Sequence, residues 1–215
     1  MREIFRLVPW ADVFVVDDNS PDGTGFWATE HARTERRLTV LNRPGKLGLG
    51  TAVRAAMERA VALKYDYLVN LDADFSHPVE KIPVLIEEAV ATAADVVIGS
   101  RYVAGGDIIG WPPKRRRMSR WINFYTKTLL GLTTADNSGS FRCYRRSALE
   151  RLLNGPILSN GYSFFEEVLF RIKQNGGTFS ETAITFTERR RGVSKINRTE
   201  AIKALWIIFR LGLFK

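Results

Sequence analysis

With 215 residues, 45% of them hydrophobic and 26% charged, the chain has the length and composition of a single domain with a full core, which excludes a natively disordered protein. A lone cysteine, Cys143, and two histidines far apart in sequence, His31 and His77, exclude an internal disulfide and argue against a zinc cluster. The net charge of +9 is uneven: residues 1–100 hold 11 Lys and Arg against 15 Asp and Glu, residues 101–215 hold 21 against 8, so the second half is suited to an anionic partner such as a phosphorylated substrate, a phospholipid or nucleic acid.

Residues 1–9 contain no apolar core of the length a signal peptide requires. The first strand is expected at residues 12–18 (DVFVVDD), a β-branched run that ends in Asp17 and Asp18 and passes into a turn rich in Pro and Gly. A second run, residues 38–42 (LTVLN), leads into the glycine-rich loop NRPGKLGLG and then a helix with Leu49, Val53, Met57 and Ala60 at helical spacing. That loop lacks P-loop spacing, so phosphate contact and tight packing on the sheet both stand as its role. A third run, residues 66–72 (DYLVNLD), ends in Asp72-Ala73-Asp74, and a helix follows Pro78 with Ile82, Leu85, Ile86 and Ala89 on one face. A fourth run covers residues 95–100 (DVVIGS). Short apolar runs alternating with helices specify an α/β fold with a mostly parallel sheet flanked by helices.

The second half is less regular. A helix with a basic start is expected over residues 116–130, a strand over 140–145, a helix over 162–175, a strand over 178–187 and a terminal helix over 199–214. In that last helix Ile202, Leu205, Trp206, Phe209 and Leu213 share a face, and Lys203 and Arg210 interrupt any membrane-spanning run. Two readings stand for the aromatic residues: Trp111, the helix around Trp121–Tyr125 and the terminal helix offer an apolar outer surface, or Trp121, Phe124, Trp206 and Phe209 join the core, as such residue types more often do.

The chemistry gathers at strand ends. Ligands of open α/β sheets bind beyond the carboxyl ends of the strands. Two acidic clusters there, Asp17-Asp18 and Asp72/Asp74, crowd negative charge that a cation relieves, and hard carboxylate oxygens suit Mg²⁺ or Mn²⁺ bridged to substrate phosphates.

The segments VVDDNSPDGTG, NRPGKLGLGTA, DADFSHP, IGSRYVAGG, KRRRMSR, SGSFRCYRR, GYSFFEEVLFR and RRRGVSK, in this order, resemble glycosyltransferase family 2, and within it the dolichol-phosphate (polyprenol-phosphate) mannosyltransferases. The resemblance runs from about residue 10 to residue 200. It implies a GT-A (Rossmann-like) catalytic domain over residues 1–198, followed by an amphipathic helix over 199–215 suited to peripheral membrane contact. It implies inverting transfer of mannose from GDP-mannose to dolichyl or polyprenyl phosphate, at the cytoplasmic face of a membrane.

By position, the resemblance places Asp17, Asp18, Asp72, Ala73, Asp74, Arg101, Arg189 and Lys195 on the nucleotide sugar, with Asp72 and Asp74 on the metal. It places Arg115, Ser119 and Arg189 on the acceptor phosphate, and makes Asp74 and Arg101 catalytic. Arg189 to Lys195 match a basic loop that closes over the phosphates, and Glu167 matches an acidic residue in the helix after the acceptor loop, where a structural ion pair is the alternative role. Family members begin with a strand that lies mid-sheet and holds the nucleotide base; that strand is expected to be missing here. Competing readings are transfer of glucose to the same acceptor class, an inactive remnant, and a basic nucleic-acid-binding module. The last leaves the four strand-end aspartates unexplained, because they repel phosphates.

Overall fold

A computed structural model describes residues 1–189 and 198–213. Helix α1 (Arg2–Leu7) precedes the alternating elements β1 (Val13–Asp17), α2 (Thr24–Ala32), β2 (Leu38–Asn42), α3 (Leu49–Ala62) and β3 (Tyr67–Asn70). After a 3₁₀ turn (Val79–Lys81) come α4 (Ile82–Thr92), β4 (Val96–Ser100), β5 (Asp107–Ile109) and the long helix α5 (Pro113–Leu130). Then follow β6 (Arg142–Arg145), α6 (Arg146–Leu153), α7 (Phe164–Gln174), β7 (Phe179–Ala183), β8 (Thr185–Thr187) and α8 (Arg198–Leu213). Helix α5 begins three residues before the expected start because Pro113 fits the first helical turn, where its missing N–H costs nothing. The single strand expected at 178–187 is divided at Ile184, whose N–H donates to Ser100 O while its own carbonyl accepts from Asp107 N, so the chain passes from one sheet into another.

The central sheet has the order β3-β6-β4-β7. Strands β4 and β7 are parallel, and β6 runs antiparallel between β3 and β4. Strand β4 is buried along its whole length, as its unbroken apolar sequence requires. Val96 and Ile98 face one cluster with Leu169, Phe164 and Met57, whereas Val97 faces the other with Leu85, Ile82 and Phe141. The period-two alternation of a strand thus divides one run between two cores. Strands β5 and β8 form a separate parallel pair.

Strands β1 and β2 pair in parallel, with Asp17 opposite Asn42. They do not join the central sheet: among the described residues no ladder connects β1 to β3. Helix α3 spans this break, packing on both β1 and β3, and Tyr65 adds a side-chain link by donating its hydroxyl to Asp12 and meeting the Phe14 ring edge-on. Both strands bordering the break are only partly buried, despite their apolar sequences.

Helix α8 lies beside α5. Its Ile208 and Leu211 enter the core, whereas the expected apolar face turns outward: Trp206 is 62% and Phe209 37% exposed. Trp121 (50%) and Phe124 (67%) on α5 are likewise on the surface, so none of these four aromatic residues belongs to the core. No described helix is long and apolar enough to cross a membrane.

Candidate active site

Two acidic clusters stand at the ends of β1 and β3. Asp17, the last residue of β1, is buried against the start of α2; its Oδ2 accepts from Ser20 N at 3.0 Å. Gly25 gives that carboxylate its room: a Cβ there would fall 2.4 Å from the same oxygen and push it aside. Asp18 Oδ1 lies 3.3 Å from Arg43 Nε, and Arg43 N donates to Asp17 O. The first residue of the glycine-rich loop proper therefore clasps the first acidic cluster.

Beyond β3, Asp72 Oδ1 accepts from Ser140 Oγ at 3.1 Å, and the Asp72 N–H donates to His77 Nδ1 at 3.0 Å. That bond places the ring proton on Nε2, and burial, opposed by the negative charge of Asp72, holds His77 below the usual histidine value. Ala73 is exposed. Asp74 Oδ1 accepts from both Ser76 N (3.0 Å) and Ser76 Oγ (2.6 Å). Partial burial alone would raise its pKa, but the two Ser76 hydrogen bonds and the Arg189 guanidinium hold the carboxyl below its ordinary range. The intervening Phe75 stands in the left-handed region (φ 62°) and is exposed, an uncommon conformation for a bulky residue that tightens the turn carrying the two carboxylates.

The basic half comes from the other side. Arg189 Nε lies 3.6 Å from Asp74 Oδ2. Arg115, in the first turn of α5, pairs with Glu188 at 2.5 Å and lies 4.0 Å above the Trp111 ring. Ser119, one turn further along α5, accepts from the Tyr102 hydroxyl at 2.7 Å. The strand β8 delivers Glu188 and Arg189 to this place, anchored where Thr187 N donates to Ser76 O and Glu188 N to Ile109 O. Lys195 lies outside the described residues, as do residues 190–194 of the expected basic loop.

Arg101 takes a different position. Its Nε and Nη2 bind the two oxygens of Asp136 at 2.6 and 2.7 Å, with Nη2 also on Ser138 Oγ. The pair is almost fully buried, which favours the neutral forms, yet each partner keeps the other charged, so Arg101 is raised and Asp136 lowered. The guanidinium forms a wall beneath Trp111 and Phe186. Glu167 is also fully buried. It accepts from Leu158 N and Ser159 N and pairs with Arg171 one turn along α7, which is the structural role weighed for it in the sequence. The next residue, Asn160, accepts from Gly50 N at 2.9 Å and leaves no space beside Gly48. Glu167 thus holds the segment on which the glycine-rich loop is seated.

Sequence reasoning did not single out Asp136, Glu188, Arg43, Ser140 or the bond made by His77. All lay within or close to segments already marked by their likeness to the family, but their partners are as far away as 73 residues, as in Arg115–Glu188, and pairing at that separation leaves no local signal.

Among the described residues no three or more carboxylate, imidazole or thiol groups gather as a metal cage. Asp72 and Asp74 nevertheless suit Mg²⁺ or Mn²⁺, since these ions are commonly held by one or two carboxylates with the remaining positions filled by substrate phosphate and water.

Residues 10–153 match the family model described as glycosyl transferase family 2. The chain is 39% identical over 211 residues to a polyprenol monophosphomannose synthase of Mycolicibacterium smegmatis, covering 98% of this chain and 79% of that protein. It is 42% identical over 206 residues to an undecaprenyl-phosphate mannosyltransferase of Micrococcus luteus, covering 96% and 84%. In fold it is similar to glucosyl-3-phosphoglycerate synthase from Mycobacterium tuberculosis, solved with UDP (TM-score 0.64, 15% identity, 98% of this chain and 73% of that one). The same protein solved with Mn²⁺, UDP-glucose and phosphoglyceric acid superposes with a TM-score of 0.61 at 15% identity, covering 98% and 72%.

Proposed function

The chain belongs to glycosyl transferase family 2, and from that premise we propose that it transfers mannose from GDP-mannose to a polyprenyl phosphate, with inversion at the sugar carbon. Both similar mannosyltransferases are named for a product or acceptor of this class. The observation that carries the reading is the meeting of an acidic turn and a basic arm: Asp74 beside Arg189, with Arg115 on the neighbouring residue Glu188. A nucleotide diphosphate and an acceptor phosphate, brought to one sugar carbon, require that combination.

The acceptor is a phosphate monoester with a second pKa of about 6, so it is already largely anionic near neutral pH. It requires orientation and relief from repulsion more than a strong base. Arg115 and Arg189 supply both, and Ser119 offers its hydroxyl on the same face of α5. Asp17 and Asp18, clasped by Arg43, bind the nucleoside. Asp72 and Asp74 would hold Mg²⁺ or Mn²⁺, which when bound stabilises charge on the diphosphate. Arg101 acts from the wall of the site, keeping Asp136 and the turn it anchors in place. Lys195 completes the phosphate contacts. The acceptor being a lipid, the enzyme works in peripheral contact with the cytoplasmic face of a membrane.

The test is a panel of radiolabelled nucleotide sugars offered with polyprenyl phosphate. Mannose from GDP-mannose should appear in the lipid phase, chelator should abolish transfer, and Mg²⁺ or Mn²⁺ should restore it. Asp72→Asn and Asp74→Asn should each lower turnover by about 10²-fold or more. Preference for UDP-glucose would overturn the donor assignment, and full turnover in either variant would overturn the metal assignment.

A further inference from the structure

Two rungs join the acidic turn after β3 to the strand that carries the basic arm. The first is Ser76, whose N–H and hydroxyl both donate to Asp74 Oδ1 while its carbonyl accepts from Thr187 N at 3.1 Å. The second is His77, which is 6% exposed. Its Nδ1 accepts the Asp72 N–H at 3.0 Å. Its ring stacks on Phe141 with 5.2 Å between centroids and 18° between planes, and Ser140, the residue before Phe141, donates its hydroxyl to Asp72 Oδ1. Phe186 meets the same ring edge-on at 5.5 Å. Phe186 and Thr187 belong to β8, which leads directly into Glu188 and Arg189. Each carboxylate of the turn is therefore tied to β8 through one intervening residue.

The tie through His77 uses both properties of an imidazole. A neutral ring has one bare nitrogen, and the N–H it receives lies past the last residue of β3, outside the ladder. Without an acceptor there, the donor is left unmet and the Asp72 backbone loses the bond that fixes it. The ring itself does the rest, since planar contact with Phe141 and edge contact with Phe186 hold the turn against the start of β6 and against β8. A phenylalanine at this position would keep the stack and offer Asp72 nothing. An asparagine would put an oxygen near the place of Nδ1 and leave Phe141 and Phe186 without a ring. Groups that orient metal-holding side chains from behind commonly set metal affinity, and their loss costs about 10–100-fold.

We propose that His77 is a positioning residue that locks the Asp72 carboxylate to the strand carrying Arg189, so that the metal side and the phosphate side of the site keep one register. This rests on the reading of Asp72 and Asp74 as metal carboxylates, but its test needs no turnover. The full chain is titrated with Mn²⁺ in the presence of GDP, and free Mn²⁺ is read by electron paramagnetic resonance. His77→Phe, which keeps the stack, should bind Mn²⁺ about tenfold more weakly or worse. His77→Asn, which keeps the acceptor, should stay within about threefold of the wild type, since the bond to the Asp72 N–H survives. Hydrogen exchange reads the other end of the tie: the Thr187 amide should exchange about tenfold faster or more in His77→Asn, where the ring against Phe186 is gone. Wild-type Mn²⁺ affinity in His77→Phe, equal losses in both variants, or unchanged Thr187 exchange in His77→Asn would overturn the proposal. Should either variant fail to fold, the wild-type imidazole decides. Nitrogen NMR at neutral pH is expected to find Nδ1 bare and Nε2 protonated, and the opposite tautomer overturns the proposal. A wild-type chain that binds no Mn²⁺ would instead count against the metal assignment, while the tautomer and Thr187 exchange still decide the tie.

Discussion

Arg189 and Asp74 face each other across the site, guanidinium to carboxylate at 3.6 Å, joining the end of the last strand to the turn that follows β3. The distance is long for a hydrogen bond and short enough for strong attraction, so Arg189 is poised over Asp74 without being locked to it. A diphosphate entering beside Asp74 competes for the same cation. Arg189→Ala should therefore lower kcat by about 10²-fold while changing nucleotide affinity much less, as read by steady-state kinetics beside calorimetric titration with GDP.

Removing one partner of the buried Arg101–Asp136 pair leaves the other charge without water or counter-ion. Arg101→Met and Asp136→Asn should each cost about 3–5 kcal/mol in urea unfolding, far more than an exposed pair such as Arg6–Glu3 is worth. Near-wild-type stability in both would mean that the pair serves chemistry alone.

Glu166, beside Glu167 on α7, is fully buried, and its Oε2 has no hydrogen-bond partner. Burial, opposed in part by Arg142, pushes its pKa from 4.5 up to about 7. The folded chain then holds a proton between about pH 4.5 and 7 that the unfolded chain has released, so this group's contribution to stability falls as pH rises through that window and stays low above it. The penalty is on the order of 3 kcal/mol at pH 8. Glu166→Gln should raise the melting temperature at pH 8 by roughly 5 °C or more and leave it nearly unchanged at pH 4.5.

Gly48 has φ 102°, and a Cβ there would meet the Asn160 carbonyl oxygen at 2.2 Å. Gly48→Ala should unseat the glycine-rich loop, weakening nucleotide binding by about tenfold or more and lowering the melting temperature. Gly45→Ala, in open space, is the control and should do neither.

What the sequence disclosed follows from where the signals were local. Val96, Val97 and Ile98 read as a buried strand because both faces of β4 are covered. Asp72 and Asp74 read as a strand-end pair because the apolar run stops at them. The partner of Arg101 was not legible: Asp136 follows a helix and a turn, and a chain reversal decides their meeting. Period alone left the place of Trp206 and Phe209 open, because an apolar stripe has the same spacing whether it faces a core or the outside. Ile208 and Leu211, one step round the helix, took the inward place.

The break between β1 and β3 divides the molecule's cooperativity. The β1–β2 ladder shares no backbone hydrogen bond with the central sheet among the described residues, so its amides can open while the β4 bonds stay closed. In native-state hydrogen exchange Val15 and Val40 should lose protection at a lower opening free energy than Val97 and Ile98. Nucleotide held at Asp17 and Asp18 should close that gap, because ligand binding charges every opening of β1 with the cost of release.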